Sequence, residues 1–529
     1  MTAIKTRESA AESKGPDRPD LPKLGWRGGL RYLWTQLTSM RTALILLFAL
    51  ALAAIPGSLV PQRRISPVRV SDFISEHPRL GPIYDRIGLF GVYASPWFSA
   101  IYLLLFVSLV GCIIPRVGMY ARALRARPPK TPRNLARLPA YAKADIADQD
   151  DVVLGRAAAA LRQRHYRVDT AGDSLAAERG YLREAGNLVF HISLVFVLVG
   201  VAIGALWGFR GTSVVVVGQG FSNNLTQFDD FSAGARFSET DLAPFSVTVK
   251  DFDVRFETGP VQRGAARLFR AHVEVTDRPG AAPRQEVLEV NKPLRIGGTT
   301  VHLIGHGYAP KVTVKDAQGN VAFSGPVVML PQDGNFTSVG AIKAPDARPE
   351  RLAFEALFLP TAVLNDQGPH SVFPDALNPA MFANVWYGPP RVETGRPENV
   401  YSLDPTGLRQ LKQADGQPVR IALKVGDGVN LPDGKGSIQL DGWVRWVKLQ
   451  IGDTPGVPIS LIALAFAVTG LCLSLFVRPR RLWIRVRGEP GHRVVEVGGL
   501  DRADARAGLT EDVAELAAEV SRPEDVSET

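Results

Sequence analysis

Cysteine is almost absent from this chain, which carries only Cys112 and Cys472 among its 529 residues. No CxxC pair is present, so the chain cannot perform dithiol–disulfide exchange by itself. Both cysteines lie inside apolar segments, where a thiol side chain usually serves as a small hydrophobic residue. Any thiol reduction coupled to this chain is therefore expected to come from a separate protein.

The usual signatures of catalysis are missing as well. The sequence has no nucleophile elbow, no phosphate-binding P-loop, no HExxH pair and no dinucleotide-binding glycine pattern. No self-contained catalytic site emerges, and the residues leave open whether the chain belongs to an enzyme. The formal net charge of +9 is not gathered into a zinc finger, an RNA-binding signature or a basic helix. Nucleic-acid binding requires a clustered basic face, so no nucleic-acid partner is expected.

The sequence does contain four long apolar segments, at 42–60, 97–115, 188–208 and 457–477. Each is close to the roughly 20 residues that a helix needs to cross a hydrocarbon core about 30 Å thick. Together they predict a membrane protein with four transmembrane α-helices.

Basic residues are distributed unevenly around these segments. They cluster before the first apolar segment, after the second, before the third and after the fourth. Arg63 and Arg64 depart from this pattern, because they follow the first segment. The positive-inside rule therefore predicts a multi-pass plasma (inner) membrane protein with both termini and residues 116–187 in the cytoplasm. Residues 61–96 and 209–456 are then extracytoplasmic.

Shorter pieces are predicted on the cytoplasmic side. Residues 1–23, rich in charge and proline, are expected to be disordered. Residues 24–41 have apolar side chains at helical spacing and predict an interfacial amphipathic helix in contact with membrane lipid. The 116–187 loop predicts a small α+β domain, and the 478–529 tail predicts a short acidic helix capped by Thr510.

Apolar and polar residues alternate in several stretches of the 209–456 segment. Examples are FSVTVKDFDVRF from Phe245 and GSIQLDGWVRWVKLQIG from Gly436, and turn residues such as Gly, Pro, Asp and Asn lie between such stretches. Period-two alternation indicates strands, so this region predicts a large extracytoplasmic all-β domain of sandwich or barrel-like form. Residues 340–410 are polar, and no strands are assigned there.

One histidine, His191, lies inside the third apolar segment, about one turn from its cytoplasmic end. An ionisable side chain in a membrane helix is costly and points to function, although a neutral imidazole that bridges two helices is an equal alternative. Haem needs only axial ligands from the protein, because the porphyrin supplies four nitrogens to the iron. Zinc needs three or four ligands, and the four segments contain no second His, no Asp or Glu and no paired Cys. His191 is thus a candidate axial haem ligand.

Three further histidines are weighed against ordinary structural roles. His77, in the first outer loop, is a second candidate axial ligand, and a solvated loop histidine is the favoured interpretation. His302 and His306 are four residues apart, which on a strand places them on one face about 13 Å apart. One metal ion cannot bridge that distance, so structural roles are favoured. No metal other than haem iron is expected.

Four stretches of the sequence resemble one family of membrane proteins. They are LTSMRTALILLFALALAAIPGSLVPQR (37–63), IYDRIGLFGVYASPWFSAIYLLLFVSLVGCIIPR (83–116), AERGYLREAGNLVFHISLVFVLVG (177–200) and NKPLRIGGTTVHLIGHGYAP (291–310). In their order and in their four-span layout they are similar to the ResB or CcsB family of cytochrome c biogenesis proteins. The likeness runs from about residue 30 to residue 480.

The resemblance implies a function that the residues alone do not. It implies that the protein works with a second membrane protein, of the ResC or CcsA type, to move haem across the membrane and attach it to apocytochrome c. The family's intramembrane histidine corresponds to His191. This chain has no tryptophan-rich haem-handling loop, so the attachment site is expected on the partner, and a separate thioredoxin-like protein is expected to act as thiol reductant. The chain would then be a subunit of a haem lyase complex that holds haem transiently.

Two other functions are compatible with four spans and a β domain. A membrane-anchored extracytoplasmic receptor or scaffold without haem would use the same anchor and the same domain. A secondary transporter fits less well, because such proteins carry internal repeats and paired broken helices. A Soret band from the protein purified with its membrane partner would distinguish the haem hypothesis from the receptor.

Overall fold

A computed structural model describes residues 25–63, 65–366, 368–390, 399–489, 492–501 and 508–522. The tail predicted at 1–23 lies outside the described residues. The chain divides into two compact units, which we call the helical unit and the β unit. The helical unit comprises Met1–Val199 and Ile459–Thr529, and the β unit comprises Gly200–Pro458.

Nine α-helices are present in the described part of the chain. They are α1 (Trp26–Leu37), α2 (Met40–Leu59), α3 (Pro67–Glu76), α4 (Leu80–Arg86), α5 (Pro96–Arg125), α6 (Asp150–Gln163), α7 (Tyr181–Trp207), α8 (Val457–Phe476) and α9 (Leu509–Ser521). The helices α2, α5, α7 and α8 belong to the four segments that are long and apolar enough to cross a membrane. The predicted fold class, a multi-pass membrane protein with four such helices, is confirmed.

Local sequence explains where two of the long helices begin. The hydroxyl oxygen of Ser39 accepts a hydrogen bond from the amide of Thr42 at 3.3 Å, and Ser95 accepts one from Phe98 at 3.3 Å. Serine at such positions satisfies amide groups that have no partner inside the helix. Helix α5 then continues to Arg125, past the end of its apolar segment.

Twenty-four β-strands accompany these helices in the described residues. They are β1 (Ala140–Ile146), β2 (Arg167–Ala171), β3 (Ser174–Arg179), β4 (Phe209–Val216), β5 (Gly220–Ser222), β6 (Asp230–Ala233), β7 (Ser246–Phe256), β8 (Ala266–Thr276), β9 (Arg284–Glu289), β10 (Leu294–Ile296), β11 (Thr299–Lys315), β12 (Val321–Pro326), β13 (Leu330–Pro331), β14 (Ser338–Ala344), β15 (Arg351–Leu359), β16 (Ala362–Asn365), β17 (Gly368–Ser371), β18 (Ala380–Gly388), β19 (Arg409–Gln410), β20 (Arg420–Lys424), β21 (Gly428–Asn430), β22 (Ser437–Asp453), β23 (Arg480–Glu489) and β24 (His492–Asp501). The pairings between these strands are antiparallel.

Five strands of the helical unit form one sheet in the order β1-β24-β23-β3-β2. Helices α6 and α9 share a hydrophobic core with this sheet, which includes the buried Leu161, Ile484 and Leu516. The loop between α5 and α7 and the C-terminal segment therefore fold together as one small α+β domain. Only a helix was predicted in the tail, so β23 and β24 are a correction.

The arginines of β23 explain why this strand was missed. They fit positive charge flanking the fourth span, whereas in the structure they belong to a strand that also carries buried apolar residues. Arg481 Nε lies 2.8 Å from Glu178 Oε1, and Arg487 Nε lies 3.3 Å from Glu496 Oε2. The buried residues between the arginines are Leu482, Trp483, Ile484 and Val486.

The β unit is built around two hydrophobic cores. The long strands β11 and β22 pair with each other inside a seven-stranded sheet. Towards one end this pair shares a core with the four-stranded sheet β5-β7-β8-β9, and that core includes Val301 and Val447. Towards the other end it shares a core with the six-stranded sheet that contains β14, β15 and β18, and that core includes Val312 and Leu440. The predicted β-rich domain is confirmed, and its sheets pack as a sandwich with two cores.

Strands β14 to β18 lie where no strand was predicted, in the region 340–410. Strand β15 is buried on both faces along much of its length. Its sequence RLAFEALFL therefore lacks a regular alternation of apolar and polar residues. A fully covered strand of this kind cannot be recognised from a period-two pattern.

The predicted placement of His302 and His306 on one face of a strand is wrong. A bulge at Ile304 shifts the register, so that His302 pairs with Gln450 and His306 pairs with Val447. Those partners are three residues apart on β22, and side chains at odd spacing point to opposite faces of a strand. His306 is consequently buried while His302 lies on the other face. The two histidines cannot form a metal pair.

Candidate functional site

The imidazole of His191 is oriented by its own helix, α7. Its Nδ1 lies 2.7 Å from the carbonyl oxygen of Asn187, one turn earlier. A carbonyl only accepts hydrogen bonds, so Nδ1 carries a proton, and in the neutral imidazole the lone pair is then on Nε2. The ring of Phe190 packs nearly perpendicular to the imidazole, with 5.2 Å between the ring centroids. This is the arrangement in which a neutral histidine can coordinate a metal through Nε2, while a carbonyl oxygen holds the Nδ1–H group, as is usual for histidine ligands.

A cavity of about 270 Å³, which we call the His191 cavity, is lined by residues from three helices. Met40 comes from α2, Leu109 and Arg116 come from α5, and Leu188 and His191 come from α7. Most of the lining is apolar. The volume lies below the roughly 300–1,000 Å³ of pockets that enclose drug-sized ligands. A large flat ligand would therefore extend beyond the part of the site that this chain supplies.

Arg116 is the one arginine, and no lysine is present, among the described residues that line the His191 cavity. Its Nη2 lies 3.4 Å from the sulfur of Met40, which is a weak acceptor. Within the part of the chain that the structure describes, no carboxylate lies within 4.0 Å of this guanidinium. A guanidinium carries five N–H donors. Most of the N–H groups of Arg116 therefore have no hydrogen-bond acceptor among the described residues.

Close contacts with α5 hold the chain that leads into α2. Ser108 Oγ donates to the carbonyl of Leu37 at 2.6 Å, and Cys112 Sγ donates to the carbonyl of Thr38 at 2.8 Å. A side chain at Gly111 would collide with Thr38. The thiol of Cys112 is thus engaged in a structural hydrogen bond at the edge of the cavity.

Helix α7 also packs closely against α8. A Cβ atom at Gly470 would lie 2.6 Å from the carbonyl oxygen of Gly186, and one at Gly186 would lie 2.5 Å from the carbonyl oxygen of Gly470. Nearer the C-terminal end of α7, Ser460 Oγ of α8 donates to the carbonyl of Val197 at 3.3 Å. Small residues permit this close approach between membrane helices. The helix that carries His191 is therefore fixed by backbone contact with α8.

The structure does not bring the other candidate ligand into this cavity. His77 is exposed at the C-terminal end of α3, where its ring stacks on Phe73 with 4.5 Å between centroids. It is not among the described residues that line the His191 cavity, and its role as a ligand stays a prediction. In the described residues no group of three or more His, Cys, Asp and Glu side chains is placed to hold a metal ion.

The sequence singles out His191 as a candidate ligand but does not reveal which residues surround it. Asn187 carries a usable signal, because it precedes His191 by one helical turn and residues at that spacing face each other. Arg116 was counted only as positive charge flanking the second span. Its place beside His191 depends on how α5 packs against α7, and no local spacing reveals that packing.

A larger cleft, of about 820 Å³, lies in the β unit. Its floor includes Glu355, Asn384 and Arg420, which stand side by side on β15, β18 and β20. The described lining contains no histidine, cysteine or methionine. Tyr401 lines the cleft, but its hydroxyl donates to Asp229 at 2.9 Å, and burial together with this carboxylate raises the pKa of the phenol. The cleft therefore offers no axial ligand for haem iron, unlike the His191 cavity.

Comparison with known proteins gives one consistent family. The model of the ResB-like family matches residues 40–514. The cytochrome c biogenesis protein CcsB of Synechococcus sp. (strain CC9311) is 26% identical over 505 residues, which cover 94% of this chain and 99% of that protein. CcsB of Synechococcus sp. (strain WH7803) is 29% identical over 399 residues, covering 74% and 86%, and CcsB of Prochlorococcus marinus (strain MIT 9303) is 26% identical over 477 residues, covering 89% and 94%. Since the family match includes the four membrane helices, the His191 cavity and the β unit, the chain belongs to the ResB-like family.

Proposed function

We propose that this protein is a cytochrome c biogenesis subunit that binds haem, as cargo, at His191. With a membrane partner of the ResC or CcsA type it transports haem across the membrane and supports covalent attachment of haem to apocytochrome c. Family membership and relatives named as cytochrome c biogenesis proteins support this function. The observation that carries it is the hydrogen bond from His191 to the carbonyl of Asn187, which leaves Nε2 free beside a cavity.

The surroundings of His191 suit haem better than a bare metal ion. A single imidazole would be sufficient to hold haem, because the porphyrin itself supplies four nitrogens to the iron. The apolar lining of the cavity suits a porphyrin ring, and the Asn187 carbonyl fixes the imidazole and increases its basicity. Haem, when bound, supplies the iron and the ring that is later joined to the thiols of apocytochrome c. The chain's own residues bind and orient it.

A shared site explains the small volume of the His191 cavity. About 270 Å³ cannot enclose a porphyrin, so the remaining walls and the second axial ligand would come from the membrane partner. The eight tryptophans of this chain are scattered, which supports placing haem attachment on the partner. With no CxxC pair in the sequence and Cys112 engaged with Thr38, reduction of the apocytochrome thiols is assigned to a thioredoxin-like protein. The complex as a whole would act as a haem lyase.

The proposed orientation places the β unit outside the membrane and both termini in the cytoplasm. The β unit would then face apocytochrome c, and the His191 cavity would lie near the inner leaflet, where haem arrives. Helix α1 would rest on the inner surface of the bilayer. The large exposed fractions of Leu33, at 63%, and Trp34, at 51%, support contact between this helix and lipid.

Substitution of His191 tests the proposal. His191→Ala removes the lone pair but keeps an apolar helix former, so the variant should insert and bind its partner normally. We expect it to lose most of the co-purified haem and most holocytochrome c, and added imidazole should partly restore both. Wild-type haem content in His191→Ala or in His191→Gln, at matched protein levels, would show that His191 only bridges helices, because Gln also makes interhelical hydrogen bonds.

The 820 Å³ cleft favours a second candidate function, a membrane-anchored receptor or scaffold that binds an extracytoplasmic ligand without haem. The absorption spectrum of the purified membrane complex separates the two functions. A Soret band that disappears in His191→Ala supports haem handling, and a complex without any Soret band supports the receptor.

A further inference from the structure

We propose that Arg116 forms a carboxylate-binding subsite in the His191 cavity and that this subsite takes a propionate of haem. The inference rests on the proposed function, because it requires haem to bind at His191. The site would then contact haem at two points, with His191 at the iron and Arg116 at a propionate. The subsite would fix the rotation of the porphyrin about the bond between the iron and His191.

The first argument is the unmet hydrogen-bonding capacity of Arg116. Its contact among the described residues is with the sulfur of Met40, at 3.4 Å, and no described carboxylate forms an ion pair with it. Arg116 is exposed and directly follows the apolar segment 97–115, so its N–H groups can reach water or a ligand carboxylate. A ligand carboxylate entering the cavity would supply the partner that the described protein groups do not.

The second argument is the match between the cavity and the ligand. Haem is an apolar ring with two anionic carboxylates at one edge, and an imidazole alone recognises only its iron. The His191 cavity combines a nitrogen ligand, an apolar lining and one guanidinium. The fork of a guanidinium binds both oxygens of a carboxylate, which gives strength and a defined orientation. These three features correspond to the three chemical parts of haem.

The third argument concerns the other arginines of α5. Arg122 and Arg125 lie in the last turn of this helix, and Arg122 Nε donates to the carbonyl of Gly118 at 3.2 Å. Neither lines the His191 cavity, so among the described residues of α5 Arg116 is the basic residue placed beside His191. Arg122 therefore serves as a matched control of the same charge on the same helix.

The test compares haem with haem dimethyl ester, in which both propionates are blocked. The complex of the full chain with its membrane partner is depleted of haem, and binding of each compound is followed by the Soret band. We expect Arg116→Gln to bind haem about 10- to 100-fold more weakly than the wild type, as for the loss of a hydrogen bond to a charged group. Binding of the ester should change by less than about twofold. Arg116→Lys should recover part of the loss, because it restores the charge without the fork.

Controls separate this subsite from other roles of Arg116. Arg122→Gln should leave the affinity for haem unchanged. If Arg116 instead contacts a lipid phosphate or only stabilises the helix, Arg116→Gln will weaken haem and ester equally or neither, and the subsite is then ruled out. In that case loss of haem in His191→Ala would still support the proposed function. A wild-type complex that binds neither compound would overturn both proposals.

Discussion

His306 is a buried histidine whose neighbours are aromatic rings. Its ring centroid lies 4.5 Å from that of Phe269 and 4.6 Å from that of Phe336, and its Nδ1 has no hydrogen-bond partner among the described residues. Burial in this cluster, with a smaller contribution from the positive charge of Arg445, lowers the pKa of His306 from 6.5 to about 3. The imidazole is therefore neutral in the folded protein over the whole physiological range.

This neutral state makes the β unit sensitive to acid. Below pH 6.5 the imidazole of His306 is protonated in the unfolded chain but not in the folded one, so the stability it contributes is lost as the pH falls from 6.5 towards 3. Between pH 8 and pH 5 the free energy of unfolding should fall by about 2 kcal/mol from this group alone. Thermal unfolding of the full chain in detergent at both pH values measures the change.

Two variants isolate the contribution of His306 from that of titrating carboxylates. His306→Phe has no titratable ring and should lose about 2 kcal/mol less than the wild type over the same pH interval. His302→Gln, on the opposite face of β11, should keep the wild-type pH dependence. Equal pH dependence in the wild type and in His306→Phe would contradict the assignment.

At the residue scale the sequence identified single side chains better than their surroundings. His191 stands out as a candidate because an imidazole is costly in a membrane helix and differs from the apolar residues around it. Arg116 does not stand out, because its proposed role depends on the packing of α5 and α7 around one cavity. His302 and His306 were placed on one face because the one-residue bulge at Ile304, which reverses their relation, leaves no mark in an alternating pattern.

At the scale of elements, the pair α7 and α8 depends on glycine. A methyl group at Gly470 would lie 2.6 Å from the carbonyl oxygen of Gly186 and 2.7 Å from the backbone nitrogen of Phe190. Backbone atoms cannot move aside as a flexible side chain can, so the helices would have to separate. We expect Gly470→Ala to destabilise the protein by about 1–3 kcal/mol, the usual cost of overpacking.

Gly204→Ala is a matched control for this prediction. Gly204 lies on α7, and an added Cβ there meets no heavy atom within 4 Å. Alanine favours helix more than glycine does, so this variant should be as stable as the wild type or more stable. The midpoint of thermal unfolding in detergent measures both changes. The packing argument fails if Gly470→Ala is as stable as Gly204→Ala.

Helices and strands with a regular spacing of apolar residues could be predicted from the sequence. Strands without such regular spacing could not. The four membrane helices and strands such as β7 and β22 follow from length and alternation in the sequence. Strand β15 was missed because both of its faces are buried, and β23 because its arginines also fit the flank of a membrane span. In both cases the strand could not be predicted, because it is recognisable only from its packing against other elements and not from its own residue pattern.

At the scale of the whole molecule, the small sheet of the helical unit constrains the topology independently of charge. Strand β3, which precedes α7, pairs with β23, which follows α8. Paired strands lie in one compartment, so a chain that enters the membrane between them must cross it an even number of times. Helices α7 and α8, both long and apolar enough to span it, are the expected two crossings. We therefore predict that residues between α7 and α8 in the sequence lie in the other compartment from this sheet.

Reporters at three glycine turns test this topology. Gly172 is in the turn between β2 and β3, Gly508 precedes α9, and Gly280 is in the exposed loop between β8 and β9. Reporters inserted at Gly172 and Gly508 should indicate the same compartment, and one at Gly280 should indicate the other, because a single span separates it from each of them. The basic flanks further predict that Gly280 is the extracytoplasmic position. If Gly172 and Gly508 reported different sides, the sheet pairing and the four-span arrangement could not both hold, whereas a cytoplasmic Gly280 with the other two outside would overturn only the orientation.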